Sequence, residues 1–305
     1  MVKKKLLISF SGGRTSACML WWLMNCWQDK EQYDIVVVFA NTGKEHPGTL
    51  LFVQRCSRKW NIPIVWVEAV PKQSPIRVTK RGKTVGGGWW AVTHKVVDYF
   101  TAARGKKRVD GTFEPTPFEE MISKLGIPST SAPFCSDQLK RKAIESYLKS
   151  IGWRKYYKAI GVRIDEIDRV NEHYKKRRII YPFISMHPTA KREVTLWWQK
   201  QDFDLEVPEG EGNCDNCWKK DLYPTLINNA KRNKQSFEWW QAMTDEYGHI
   251  QSRKGNINMK PPFNFYRGNL SSKDILKLSE GDSEQLKLFA SDNKLNSCSE
   301  SCEAF

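Results

Sequence analysis

Short apolar strands alternating with helical stretches predict an α/β fold, a parallel sheet with helices on both faces. Three observations carry that expectation. The strand candidates are apolar on both sides, as strands covered by two layers must be. The stretches between them have helical length and pattern. The polar, glycine-bearing segments fall directly after strands, where such sheets bind ligands.

The elements follow in order. Lys5 to Phe10 reads as a short buried strand, and the loop Ser11 to Gly13 follows it. Thr15 to Trp27 has no Gly or Pro and is long enough for a helix. Ile35 to Ala40 is an uninterrupted, largely β-branched run and forms the second strand. Gly48 to Trp60 is an amphipathic helix, and Ile64 to Val67 a third strand. Asp137 to Ile151 spaces Leu139, Ile144, Leu148 and Ile151 as a helix would, and Tyr157 to Val162 is the fourth strand. Between Pro71 and Pro117, Lys, Arg and Gly dominate, which reads as an irregular basic insertion over the active face. Beyond about Asp204 the alternation stops. The expected organisation is a domain over 1–203 with its insertion near 71–117. A mixed helical and irregular C-terminal extension over 204–305 carries a Cys-x-x-Cys and a flexible tail.

The 305 residues suffice for one good core, and 40% are hydrophobic. Lys and Arg number 49 against 34 acids, a formal charge of +15. Such a balance attracts polyanions, DNA or RNA among them, or it is simply a basic surface. The basic start Met1 to Lys5 precedes an apolar run shorter than the roughly 7–15 residues of a signal-peptide core. No stretch approaches the about 18 apolar residues of a membrane span. The chain is therefore expected to be soluble and cytoplasmic, with no membrane partner. Eight cysteines are too sparse for a disulfide scaffold and read as free, catalytic or metal-bound.

Ser11-Gly12-Gly13-Arg14-Thr15-Ser16 has the makings of a phosphate grip. Two glycines allow a sharp turn and close approach, and the helix that follows offers unpaired N–H groups and a partial positive charge. The hydroxyls of Ser11, Thr15 and Ser16 add donors, and Arg14 adds charge. Gly-x-Gly-x-x-Gly is absent. Gly82-Lys83-Thr84 is no Walker A loop, because Arg77 stands where that motif needs its first glycine. A plain strand-to-helix turn is the blander account of Ser11–Ser16.

The loop, followed by Phe39 to Val53 (FANTGKEHPGTLLFV), resembles the PP-loop ATP pyrophosphatase superfamily and, within it, the phosphoadenosine phosphosulfate (PAPS) reductase family. Further matches come in the family's order. They are Pro133-Phe134-Cys135-Ser136-Asp137-Gln138-Leu139-Lys140, Gly161 to Arg169 (GVRIDEIDR), Tyr181-Pro182, Glu193 to Trp197, and Gly212 to Cys217 (GNCDNC). Thr15 stands where many such loops have Asp. The resemblance implies an adenine nucleotide alpha-hydrolase-like fold and an adenine-nucleotide pocket for ATP or a relative, with Mg²⁺. It places Ser11, Gly12, Gly13, Arg14, Thr15 and Ser16 on phosphate or sulfate oxygens. Asn41, Thr42 and Gly43 would lie beside the nucleotide, with Arg163 and Arg169 supplying charge. Surface ion pairs with Asp165, Glu166 or Asp168 are the alternative for the two arginines.

Cys135, Cys214 and Cys217 match three of the four ligands that the iron–sulfur branch of the family uses for a [4Fe–4S] cluster; Phe134 stands beside Cys135 where that branch has a second cysteine. Structural Zn²⁺ with a fourth ligand from elsewhere, and no metal, are the other accounts. Cys298 and Cys302 are the candidate catalytic thiols, by similarity to the family's reactive tail cysteine, though Gly and His do not follow Cys302. Cys18, Cys26 and Cys56 are expected in the core. Trp89-Trp90 is the best aromatic candidate for substrate contact.

Three functions are compatible with these residues. One is ATP-dependent adenylation followed by sulfur transfer to a nucleic acid or nucleotide, from a sulfur donor. Another is reduction of a sulfonucleotide by a tail cysteine with a thiol reductant. The last is a nucleotide- or nucleic-acid-binding protein without turnover.

Overall fold

A computed structural model describes residues 2–89, 91–130, 132–208, 211–252 and 259–281. The first half builds as expected. β1 (Lys4–Ser9) leads through the loop to α1 (Arg14–Asn25), then β2 (Tyr33–Asn41), α2 (Pro47–Trp60) and β3 (Ile64–Lys72). Each crossover is a helix, so β1, β2 and β3 pair in parallel, with Ile8 opposite Val37 and Val38 opposite Val65.

The segment expected to be irregular contains regular structure. A small hairpin, β4 (Arg77–Val78) and β5 (Thr84–Val85), precedes β6 (Ala91–Val97), which runs antiparallel along β3. The sheet is therefore mixed at one edge. Lys95 and Val96 of β6 face solvent, as suits an edge strand, whose charges discourage pairing with a second chain.

After α3 (Pro117–Leu125) the expected single helix from Asp137 divides. A wide π-helical turn over Ser136–Arg141 precedes α4 (Lys142–Ser150). β7 (Tyr157–Ala159) is shorter than expected but pairs in parallel with β1, Ile8 facing Ala159. A 3-10 turn (Ile164–Arg169), α5 (Tyr174–Arg177), β8 (Ile179–Ile180), α6 (Pro182–Ser185) and α7 (Lys191–Trp198) follow. The rest is helical: α8 (Ile227–Arg232), α9 (Glu238–Tyr247) and α10 (Ser272–Glu280).

The strand order is β6-β3-β2-β1-β7-β8. The chain steps one way from β1 to β2 and β3, and β7 then fills the other side of β1. The order thus reverses between β1 and β7, and in sheets of this kind ligands bind beyond the carboxyl ends of the strands at such a reversal.

Alternation along β1 shows how both faces are covered. Leu6 and Ile8 point into a core with α1, α2 and α7, through Leu20, Phe52, Val53 and Trp198. Leu7 points into the opposite core, among Phe118, Leu139, Ile144, Trp239 and Trp240. All three β1 side chains are fully buried, each contributing about 1.5–3 kcal/mol. The second core draws on the sheet, α3, α4 and the helices beyond Asp204 together. Among the described residues no helix is long and apolar enough to cross a membrane.

Candidate functional site

The loop after β1 turns on Gly12, whose φ is +80°. Its missing side chain is also a packing requirement, since a Cβ there would sit 2.8 Å from Thr49 Cγ2. Gly13 is the residue before α1 and offers no side-chain cap, and the first turn of the helix holds no acid. The helix start is thus left with unanswered N–H groups and an uncompensated partial positive charge. Ser16 Oγ donates to Gly13 O at 2.9 Å. Its one proton being so used, Ser11 Oγ is the donor in the 2.9 Å Ser11–Ser16 pair.

The carboxyl end of β7 comes against this helix start. Gly161 approaches so closely that a Cβ would be 3.1 Å from Ser16 Cα. Two residues later, Arg163 is 5% exposed and donates from Nη1 to Thr15 Oγ1 at 2.8 Å. Its Nε lies 3.1 Å from Asp165 and its Nη2 3.5 Å from Glu166. The chain order alone separates Thr15 from Arg163; the reversal between β1 and β7 joins them. Arg169 stands one step back, donating to Glu166 at 2.6 Å. Arg14 takes another direction, forming a two-point ion pair with Asp204 at 2.7 Å.

The turn after β2 is closed on itself. Asn41 is fully buried and donates to Glu68 at 2.7 Å and to Ala103 O at 2.9 Å, while its Oδ1 accepts the Gly43 N–H. Thr42 gives both its N–H and its hydroxyl to the Glu45 carboxylate. Asn41 and Thr42 therefore shape the turn with the same groups that would otherwise meet a ligand.

A model of the phosphoadenosine phosphosulfate reductase domain matches residues 5–85, which include both of these loops. Over 309 aligned residues the chain is 31% identical to the uncharacterized nin region protein ORF290 of Escherichia phage lambda, covering 98% of this chain and 94% of that protein. The chain belongs to the phosphoadenosine phosphosulfate reductase domain family. No solved structure matches it significantly.

Beside the family's second loop lies a buried charged cluster that the motifs only hinted at. Lys44 is 6% exposed, 3.1 Å from Asp215 and 4.7 Å above the Trp239 ring. Glu45 is equally buried, with Lys140 at 3.7 Å. Lys220 donates to Asp215 O, and Trp240 Nε1 to Asp215 Oδ1 at 2.8 Å. Charged residues just beyond the turn that follows an apolar strand, as in Lys44-Glu45 after Thr42-Gly43, are the sequence signal for this cluster; Asp215 and Lys220 carry none of that kind.

Cys214 pairs by backbone with Glu45 and lies 3.6 Å from Thr42 Oγ1. Burial, and then the Glu45 carboxylate, push its thiol well above the ordinary range, with Lys140 opposing. Cys135 and Cys217 pack in the same core, and Lys219 reaches Ser136 at 2.8 Å. Among the described residues no three His, Cys, Asp or Glu side chains are arranged to hold a metal ion. As they stand, the three cysteines do not fit a cluster. Cys298 and Cys302 lie outside the described residues. Cys18 and Cys56 are core residues as expected, burial raising the Cys18 thiol to about 12. Cys26 is a correction: α1 ends at Asn25, and the cysteine is exposed at the cap. Trp89 stacks under Lys124 Nζ at 4.8 Å; Trp90 lies outside the described residues.

His46 makes a pH prediction. Its Nδ1 accepts the Gly48 N–H at 3.0 Å, so that nitrogen carries no proton, and Nε2 lies 3.7 Å from Glu211. Burial lowers its pKa, opposed by Glu211 and Asp215 and helped by Lys220. A folded pKa below the unfolded one means that the unfolded chain takes the proton first. Stability present above about pH 6.5 is then lost progressively as pH falls below that value and through the lower folded pKa. His46→Asn keeps an acceptor for Gly48 without the titration. The fall in melting temperature from about pH 7.5 to about 5.5 should shrink in the variant; an unchanged fall would assign it elsewhere.

Proposed function

We propose that this chain is an enzyme that holds an adenine nucleotide with its phosphates over Ser11–Ser16, and that it activates an acceptor by adenylation before sulfur transfer. The carrying observation is the buried Arg163 guanidinium hydrogen-bonded to Thr15 at the uncapped start of α1. An anion there would meet helix N–H groups, the Thr15 hydroxyl, whose oxygen accepts from Arg163 and whose proton is left to donate, and a fixed cation in a site partly screened from water, where such interactions are strong. Arg163 and its partners are already oriented, so little reorganisation accompanies binding.

In the adenylation step an acceptor oxygen attacks the α-phosphorus of ATP, the bond to the β-phosphate oxygen breaks, and pyrophosphate leaves with its electron pair. A sulfide donor then displaces AMP, forming the carbon–sulfur bond as the carbon–oxygen bond breaks. Mg²⁺ bound with ATP would neutralise part of the phosphate charge. The loop's share is to bind the phosphates and to stabilise the charge that builds on the leaving group. The net charge of +15 supports a nucleic-acid acceptor.

Sulfonucleotide reduction is the second reading, favoured by the family's own name. It needs a nucleophilic thiol, and the buried Cys214, its thiol held protonated beside Glu45, is poorly suited to that role. Cys298 or Cys302 would have to serve. Pyrophosphate release from ATP, measured with and without RNA or DNA, is the test, alongside sulfite release from a sulfonucleotide with a thiol reductant. Pyrophosphate release that Arg163→Ala abolishes is the expected result. Sulfite without pyrophosphate would establish the second reading, and ATP binding with neither product would leave a binding protein.

A further inference from the structure

At the edge of the sheet opposite the phosphate loop, the amino ends of β7 and β8 frame a cavity of about 490 Å³. Lys149 enters it from the end of α4. Arg154, Lys155 and Lys158 come from the turn into β7 and the strand itself, and Lys176, Arg177 and Arg178 from α5 and the turn into β8. These seven cations share the lining with one carboxylate, Glu145, which Arg141 already holds at 2.8 Å. Among the described residues none of Lys149, Arg154, Lys155, Lys176, Arg177 and Arg178 is in an ion pair.

The ordinary account of such residues is that they answer helix carboxyl ends. A helix end carries only about half an elementary charge, so α4 and α5 offset little of this group. Burial and the nearby Arg141 and Arg177 hold the Lys158 ammonium below its usual pKa, against the pull of Glu145. The cluster is self-repelling and suited to an anion.

The lining also says which anion. It contains no aliphatic side chain; Trp153 is buried and Tyr156 half-buried. An apolar ligand or acyl chain has no surface to meet. A single phosphate carries about two negative charges at most, far fewer than the cations present. A repeating phosphodiester spaces one charge per roughly 1.7 Å of duplex and can answer several cations at once. We propose that this cavity docks the phosphodiester backbone of a nucleic acid, at a site separate from the nucleotide loop. The proposal stands whether or not the adenylation reading holds.

The test is fluorescence anisotropy of the full chain with a short labelled DNA duplex and a short labelled RNA, titrated across salt concentrations. Arg154→Gln/Lys155→Gln/Arg177→Gln removes three cavity charges. Arg77→Gln/Lys80→Gln/Arg81→Gln removes three from the β4–β5 hairpin and keeps the same net charge. The cavity variant should lose about tenfold or more in affinity, and its log–log salt slope should flatten by about 2–3. The hairpin variant should follow the unaltered chain. Equal losses in both would reduce the effect to net charge and overturn the proposal. So would failure of the unaltered chain to bind either nucleic acid, or tighter binding to phosphatidylserine vesicles. ATP affinity and melting temperature of the cavity variant should be unchanged, so failure at the loop and failure here are read separately.

Discussion

Arg163→Ala is expected to weaken ATP binding by roughly 10- to 100-fold, from the about 1.5–3 kcal/mol that a hydrogen bond to a charged group contributes. The substitution removes the donor to Thr15 Oγ1 and the fork that bridges Asp165 and Glu166. It also leaves Glu166, 8% exposed, with Arg169 as its remaining arginine partner. Arg163→Lys tests geometry against charge. A lysine keeps the charge but cannot reach Thr15 and both acids from one planar group. It should recover only a small part of the lost affinity. Calorimetric titration of the three proteins measures this. Full recovery by lysine would mean that the site needs charge alone, and unchanged affinity in the alanine variant would remove Arg163 from the site.

Gly12→Ala is expected to lower stability and to abolish nucleotide binding together. A residue with a Cβ at φ +80° costs about 1–2 kcal/mol. The added methyl would also meet Thr49 Cγ2 at 2.8 Å, Val53 Cγ2 at 3.1 Å and Phe39 Cε2 at 3.2 Å. Overpacking of this kind costs about 1–3 kcal/mol more. The combined loss corresponds to roughly 3–8 °C in melting temperature for a chain of this length. Gly111→Ala separates the two contributions, because Gly111 also has a positive φ, +87°, with nothing within 4 Å of its Cβ position. It should show the smaller backbone effect and normal nucleotide binding. Equal shifts in the two variants would mean that crowding at Gly12 contributes nothing.

The strands β1, β2 and β3 are legible in the sequence because each is an apolar run too short for a helix and bounded by polar turns. The fold class follows from their alternation with helices. β6 is not legible in the same way. Ala91 to Val97 interleaves Thr93, His94 and Lys95 with valines after three glycines, and an edge strand needs only one covered face. The division of the helix at Lys142 is likewise hidden, since a π-helical turn leaves the apolar spacing nearly intact.

The loop Ser11–Ser16 could be read locally, because turn chemistry is local. Its partner could not. Arg163 reaches Thr15 only because Leu6 to Ile8 pair with Tyr157 to Ala159, a register set by the whole sheet. Cys214 and Glu45 meet in the same long-range fashion. Their proximity places Cys214 in a cluster where Lys44, Lys140 and Lys220 stand among buried acids and thiols. Arg14 illustrates the converse: within the motif it reads as a ligand group, and in the fold it is engaged by Asp204, far along the chain.

The most direct test of the central claim, that the loop between β1 and α1 holds the phosphates of an adenine nucleotide, is a calorimetric titration of the intact protein with adenosine, AMP and ATP under one set of conditions. Affinity should rise with the number of phosphates, and Arg163→Ala should erase most of that rise while leaving adenosine binding near its original strength. Equal affinity for adenosine and ATP, or no binding of either, would contradict it.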